Sequence, residues 1–249
     1  MELRIVDKPE KWFFYGQPNI TIMQKEHEEL VKVLHNEGVQ IHYLMKTMNN
    51  KPKLYILRDN AIVLNKRAIT CHFYRSIRRG EEQLVKIRLK ELGIKIAGHI
   101  YAPGFMKASD LFFTNNNHAF ANVGLETNMS GIDHLKEIMN VNVTPIQMDN
   151  VSNTQLNFVK DIAVVSEEIP FHPIFPILKE KELDIVIASK EQADEMAVNF
   201  LQIDDYKIVN VKSSLNKKLK MIGFDVIEVD IRELKKGICG VRNMCLPFY

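Results

Sequence analysis

The sequence predicts an α/β protein in which one supersecondary unit is used several times, and three observations carry that reading. Helix-spaced apolar residues are followed four times by a glycine or asparagine and then by a short apolar run. Strand-like runs alternate with these helices along the chain. No segment is long or polar enough to be an interdomain linker, so residues 1–249 read as a single domain.

In chain order, Leu30, Val33 and Leu34 lie at helical spacing, Gly38 stops the helix, and Val39 to Leu44 alternates as a strand. Val85, Leu89 and Leu92 repeat the pattern with Gly93 and the run Ile94 to Ala97. Ile132, Leu135 and Met139 repeat it with Asn140 and Val141 to Val143, and Leu215, Leu219 and Ile222 with Gly223 and Phe224 to Val229. A further helix fits Ala193, Met196, Ala197 and Phe200. Strands are expected at Leu54–Leu57, Ala61–Leu64, Leu111–Thr114, Ala119–Val123, Asp161–Val165 and Asp184–Ala188. The proline-containing stretch Glu167 to Pro176 reads as an inserted loop. The stops at 38, 93, 140 and 223 are unevenly spaced, which suggests repeats with insertions.

Composition limits function more than it names it. The 249 residues carry 33 basic and 31 acidic side chains, a net charge of +2, which counts against a dedicated nucleic-acid binder. Three cysteines, Cys71, Cys239 and Cys245, without CxxC spacing, fit a reducing compartment. The N-terminus is charged from its second residue and no apolar run approaches the ~18 residues of a membrane span. A cytoplasmic protein without membrane contact is therefore expected. Phosphate-loop, dinucleotide, zinc-protease and EF-hand signatures are missing, so no cofactor and no metal is expected. His99 and His118 read as ordinary strand residues. Arg75, Arg78 and Arg79, like Lys217, Lys218 and Lys220, read as solvated helix flanks.

Short segments in a fixed order carry a resemblance. Tyr55-Ile56-Leu57-Arg58-Asp59 resembles the Phe-x-Arg-Asp strand of the arginine deiminase, dimethylargininase and amidinotransferase group. The C-terminal Glu233-Leu234-Lys235-Lys236-Gly237-Ile238-Cys239-Gly240-Val241-Arg242-Asn243-Met244-Cys245-Leu246-Pro247 resembles that group's closing segment, Gly-Gly-Val-Arg-Cys-Met-Thr-Leu-Pro. Ser109-Asp110-Leu111-Phe112 falls where the group has Glu-Gly-Gly-Asp-Val, Ile146 to Asp149 where it has Leu-His-Leu-Asp, and Glu195 to Asp204, with Asn199, resembles its Asn-x-Leu turn before the last unit. The resemblance covers essentially the whole chain. It implies a five-bladed α/β propeller, the pentein fold, and chemistry on guanidines.

The departures matter as much as the matches. In the group a cysteine thiolate attacks the guanidinium carbon, a histidine carries the proton and a glutamate holds the substrate. Here Asn243, Gln147 and Lys107 stand at those positions. An amide supplies neither a nucleophile nor a proton carrier near neutral pH, so no catalytic residue of that set is intact. Asp59, Asp149 and Asp110 match carboxylates of the group and are the candidate substrate-binding residues, with Arg58 and Arg242 beside them. Asp59 and Asp149 match the pair that grips a guanidinium in the deiminase branch, and a carboxylate suits that planar cation. Such carboxylates need partners, and Lys107, Arg58 and Arg242 are the expected internal ones. Alternation along Tyr55 to Asp59 predicts that Tyr55, Leu57 and Asp59 share one strand face.

Three functions follow. The favoured one is a catalytically silent member of the group that binds or regulates, with a small guanidino or amine ligand or a protein as its partner. The second is a working amidinohydrolase or amidinotransferase with a rearranged centre built on Cys245 or Cys239. The third is a module that contacts a protein or the ribosome, with Lys217 to Lys220 as its first contact.

Overall fold

The computed structural model describes residues 8–44, 51–115, 117–148, 155–169 and 174–248. Four three-stranded sheets follow one another along the chain, each made in the same way. In the first, β1 (Ala61–Leu64) and β2 (Arg67–Thr70) form an antiparallel hairpin, α2 (Glu81–Glu91) crosses over, and β3 (Lys95–His99) returns parallel to β2. The second unit is β4 (Leu111–Asn115), β5 (His118–Asn122), α3 (Met129–Met139) and β6 (Asn142–Ile146). The third is β7 (Leu156–Val159), β8 (Ile162–Ser166), α4 (Ile174–Glu180) and β9 (Asp184–Ala188). After α5 (Lys190–Asp194), the fourth is β10 (Leu201–Asp204), β11 (Lys207–Val211), α6 (Leu215–Met221) and β12 (Asp225–Val229). Before them comes α1 (Ile20–Asn36), and α7 (Val241–Met244) follows the last sheet.

The predicted stops perform as expected. Gly38 (φ +79°), Gly93 (φ +77°) and Gly223 (φ +100°) adopt the left-handed conformation after their helices, and Asn140 does so at φ 54°. The next backbone bond then swings the chain straight into β3, β6 or β12. Asn65 and Lys66, at φ 49° and 57°, supply the two positive-φ positions that a two-residue hairpin needs between β1 and β2. Two Asn-x-Ser/Thr triplets begin at helix caps: Asn19 accepts from the Ile22 backbone and Asn128 from that of Gly131.

Several expectations are corrected. Val39 to Leu44 forms no strand; its one flank is α1, and it pairs with no neighbouring strand among the described residues. Leu54 to Leu57 is a turn that runs into a 3₁₀ turn at Leu57–Asn60, so Tyr55, Leu57 and Asp59 share no strand face. The Asn60 side chain donates to the carbonyls of Ile56 and Leu57 and closes that turn, an alternative to strand pairing typical of asparagine. The helix expected through Phe200 ends at Asp194, and α4 begins inside the stretch read as a loop, with 170–173 outside the described residues. Strands β2, β7, β10 and β11 were not anticipated.

The central strand of each unit is the buried one: in β5, β8 and β11 only the first residue is partly accessible. Each third strand lies nearer the outside and starts on an exposed residue. The apolar core accordingly divides into clusters, such as Ala61, Ala68, Val85, Leu89 and Ile94 between the first sheet and α2. Leu44, Leu246 and Phe248 pack on that same cluster, so both the 39–44 segment and the C-terminal end lie beside the first unit. Among the described residues no helix is long and apolar enough to cross a membrane.

Candidate functional site

The repeat places chemically active residues at equivalent points. Asp59 and Asn60 immediately precede β1, Ser109 and Asp110 precede β4, and Asn199 and Phe200 precede β10. Residues that leave the middle strand, such as Asn122 at the end of β5, emerge at the same end of the unit because the hairpin is antiparallel. Successive units therefore deliver polar groups to one place. There a cavity of about 540 Å³ is lined by Asp59, Lys107, Ser109, Asp110, Asn122 and Gln147, together with Lys53, Arg75, Arg78 and Glu126. Trp12, Phe13, Gly237 and Ile238 line it as well.

Four of the eight site residues expected from the sequence line this cavity: Asp59, Lys107, Asp110 and Gln147. Arg58, Arg242 and Asn243 do not, and Asp149 lies outside the described residues. Arg242 is 5% exposed and points its guanidinium at backbone, donating to the Leu111 carbonyl at 2.7 Å and the Ser109 carbonyl at 3.4 Å. It thus ties α7 to the start of β4. Burial first, then the neighbouring Arg58, drives its pKa far below that of a free guanidinium. Asn243 is 1% exposed, its backbone N–H donates to the Asn199 side chain at 3.3 Å, and its Oδ1 has no hydrogen-bond partner.

The partner of Asp59 is the main surprise. It is neither Lys107 nor Arg58 nor Arg242 but Arg78, whose Nη1 donates to Asp59 Oδ2. The other edge of the same guanidinium grips Glu81 Oε2, from Nη2 at 2.7 Å and Nε at 3.1 Å. Arg78 is 6% exposed, so the solvated-flank reading fails for it. Its side chain lies over the Phe73 ring, with the guanidinium carbon 4.4 Å from the centroid. Gly80 turns the chain between the 3₁₀ turn Ser76–Arg78 and α2, which lets Arg78 and Glu81 face each other three residues apart. Burial pushes the Asp59 carboxyl up, but Arg78, Lys107 and the nearby Ser109 hydroxyl outweigh it and hold the pKa below the usual carboxylate range. Asp59 Oδ1 and Ser109 Oγ nonetheless complete no hydrogen bond of ordinary geometry. Glu81 goes the other way: burial lifts it, and Arg78 only partly offsets that.

The remaining charges are also paired. Lys107 Nζ lies 3.3 Å from Asp110 Oδ1, and the Thr127 hydroxyl donates to Asp110 Oδ2 at 2.7 Å while accepting from the Lys107 backbone N–H. Arg75 pairs with Glu126 over the Phe13 ring. The exception is Lys53, 6% exposed, whose Nζ donates to the carbonyls of Phe13 at 2.9 Å and Gly237 at 2.7 Å. Burial above all, with Arg78 adding to it, pushes its pKa down to about 8. Lys53 and Arg78 were missed in the sequence. The available signal was the need of Asp59 for a cation and the Arg78–Glu81 spacing across a helix start.

The cysteines lie outside this chemistry. Cys239 is buried with its Sγ directed at the Leu234 carbonyl, and Cys245 is partly buried in the segment after α7. Burial pushes both thiols up to about 12, far from the depressed range of reactive thiolates. Among the described residues no group of three His, Cys, Asp or Glu side chains could hold a metal ion.

A repeated hairpin–helix–strand unit, with motif residues of several units gathered at one end, defines a protein of the guanidine-modifying pentein superfamily. Residues 107–249 match the arginine deiminase family, and the chain belongs to that family. It is similar in structure to the dimethylarginine dimethylaminohydrolase of Pseudomonas aeruginosa complexed with citrulline: TM-score 0.81 at 20% identity, over 92% of this chain and 89% of that one. It is also similar to the N-terminal domain of ArgZ, an arginine dihydrolase from the ornithine–ammonia cycle in cyanobacteria, with TM-score 0.83 at 17% identity over 94% and 89%. An uncharacterized protein of Aeropyrum pernix is 25% identical over 231 residues, 90% of this chain and 83% of its own length.

Proposed function

We propose that this chain is a catalytically silent member of the arginine deiminase family that works as a binding or regulatory protein through its central cavity. The observation that carries the reading is Arg78: a guanidinium of the chain itself occupies the carboxylate, Asp59, that matches a substrate guanidinium's grip in the family. A free arginine would have to displace a buried, doubly paired side chain and would meet Lys107 where the family has a glutamate. Asn243 at the nucleophile's position supports the reading from the other side, as do the high pKa values of Cys239 and Cys245. We further read α1, the 39–44 segment and the C-terminal end as the remaining fifth unit of the propeller, because Leu44, Leu246 and Phe248 pack on the first sheet's cluster while α1 packs with the last sheet. A location in the cytoplasm fits the unpaired thiols.

The test is turnover. Incubation of the protein with arginine, methylated arginine or agmatine is expected to release no citrulline, ureido product or amine above buffer. Asn243→Cys alone should stay as silent. Its thiol would sit in a position that is 1% exposed and away from the cavity lining, and Gln147 would still carry no proton. The loss to be recovered is on the order of 10⁶ for a nucleophile, with a further ~10²–10⁴ for the acid–base group and no additivity between them. Turnover by the unaltered protein that disappears in Cys245→Ala or Cys239→Ala would establish the rearranged-centre enzyme instead.

A further inference from the structure

The cavity's hydrogen-bonding capacity is lopsided. On the acceptor side, Asp59 Oδ2 is taken by Arg78. Both oxygens of Asp110 are engaged, by Lys107 and Thr127, and Glu126 is held by Arg75. Asp59 Oδ1 and the neighbouring Ser109 hydroxyl, 0% exposed, complete no hydrogen bond of ordinary geometry, so the hydroxyl can turn from Asp59 to a ligand. On the donor side, much is spare. An ammonium has three N–H groups and a guanidinium five. Lys53 spends two on the carbonyls of Phe13 and Gly237, and no carboxylate lies within ion-pair distance of it among the described residues. Lys107 meets one carboxylate, and Arg78 retains one N–H on each Nη.

We infer that the cavity is a binding site for a small oxyanion, carrying carboxylate or phosphate groups, with the Lys53 ammonium as its principal contact and Lys107 and Ser109 completing it. The inference rests on the silent-enzyme reading in one respect, that Arg78 rather than a ligand fills Asp59. A cationic ligand would face three cations, Lys53, Arg78 and Lys107, with Asp59 Oδ2 and both Asp110 oxygens already engaged. An oxyanion would find those cations' unspent donors on largely buried side chains, where charge-assisted hydrogen bonds are strong. It would also give Lys53 the anionic counterpart that the protein withholds. The buried Ser109 hydroxyl on the wall, which completes no hydrogen bond of ordinary geometry, is a further donor that such a ligand would use.

The charged and titratable groups facing Lys53 are Arg78, Asp59, Lys107 and Cys239. Asp59 is held ionised and Cys239 is held protonated across the neutral range, so the group that changes charge there is Lys53 itself. Lys53 is charged below about pH 8 and neutral above it. Oxyanion affinity is therefore present at pH 7 and falls as pH rises past 8.

Thermal unfolding of the full chain with millimolar malonate, and separately with inorganic phosphate, each against sodium chloride of equal ionic strength, tests the site. A saturable rise in midpoint is expected at pH 7, with apparent affinity about thirtyfold weaker at pH 9.5 and at least ~tenfold weaker in Lys53→Met. Because Lys53→Met also strips two backbone carbonyls of a donor, Ser109→Ala serves as the gentler variant and should weaken binding several-fold. A response to malonate alone assigns a carboxylate ligand, and an equal or larger response to phosphate assigns a phosphorylated one. No saturable response to either anion, a response unchanged in both variants, or stabilisation by agmatine in their place would overturn the inference. Arginine turnover alongside Lys53-dependent malonate stabilisation would remove the silent-enzyme reading and leave the oxyanion site standing.

Discussion

Replacing Arg78 by methionine is expected to cost about 3–5 kcal/mol at pH 7, the range for removing one partner of a buried ion pair. The side chain bridges Asp59 and Glu81, both nearly inaccessible, so its loss leaves two carboxylates in the interior at once. The pH dependence should shift with it, since in the natural protein the raised Glu81 already opposes the depressed Asp59. In the natural protein the pKa of Asp59 is depressed, so the stability it contributes is present above the unfolded-state pKa of about 3.9 and is lost as pH falls through the lower folded value. Without Arg78, burial dominates and both carboxyls titrate above their unfolded values. Their penalty then grows as pH rises, so the variant should be more stable at pH 5 than at pH 7. Urea unfolding at the two pH values reads the slope directly. A variant that lost less than about 1 kcal/mol and kept the slope of the natural protein would show that Arg78 is not bonded as described.

The second large effect is expected at Gly131, on the first turn of α3. A Cβ there would stand 2.2 Å from the Phe105 carbonyl oxygen and 2.9 Å from its carbon, both backbone atoms that no rotamer change can move aside. The approach is fixed from both sides, since Asn128 Oδ1 accepts from the Phe105 and Gly131 N–H groups together. This contact holds the segment that carries Lys107 and Asp110 into the cavity. Gly131→Ala should therefore destabilise by about 3 kcal/mol, at the upper end for overpacking, although alanine is the better helix former by up to ~1 kcal/mol. A neutral or stabilising result in chemical denaturation would contradict the described docking of this segment on α3.

The sequence disclosed the repeat because it is written in local chemistry. A stop residue at positive φ after an amphipathic helix leaves a mark at fixed spacing, and three glycines and Asn140 all behave accordingly. It also disclosed the family, through residues next to the hairpin strands, where several units deliver side chains to one end. What it hid is non-local. Asp59 and Arg78 are 19 residues apart, and nothing in the pattern Arg75-Ser76-Ile77-Arg78-Arg79 distinguishes a solvated cluster from one whose fourth residue turns inward. Only the position of Asp59 beneath it decides. Lys53 is hidden for the same reason, since its acceptors are backbone carbonyls at Phe13 and Gly237, 40 and 184 residues away. The expected strand face along Tyr55 to Asp59 failed because Asn60 closes a local turn, a competition that alternation of polarity does not register.

That the chain fills its own guanidinium grip has one especially direct test. Arg78→Ala leaves a cleft of guanidinium size between Asp59 and Glu81, and the midpoint of thermal unfolding is followed as guanidinium chloride is added to about 10 mM, against sodium chloride, far below denaturing concentration. The variant should recover several degrees with saturation while the natural protein does not respond; an equal response of the two proteins, or none in either, would contradict the claim that Arg78 occupies the place of a guanidino ligand.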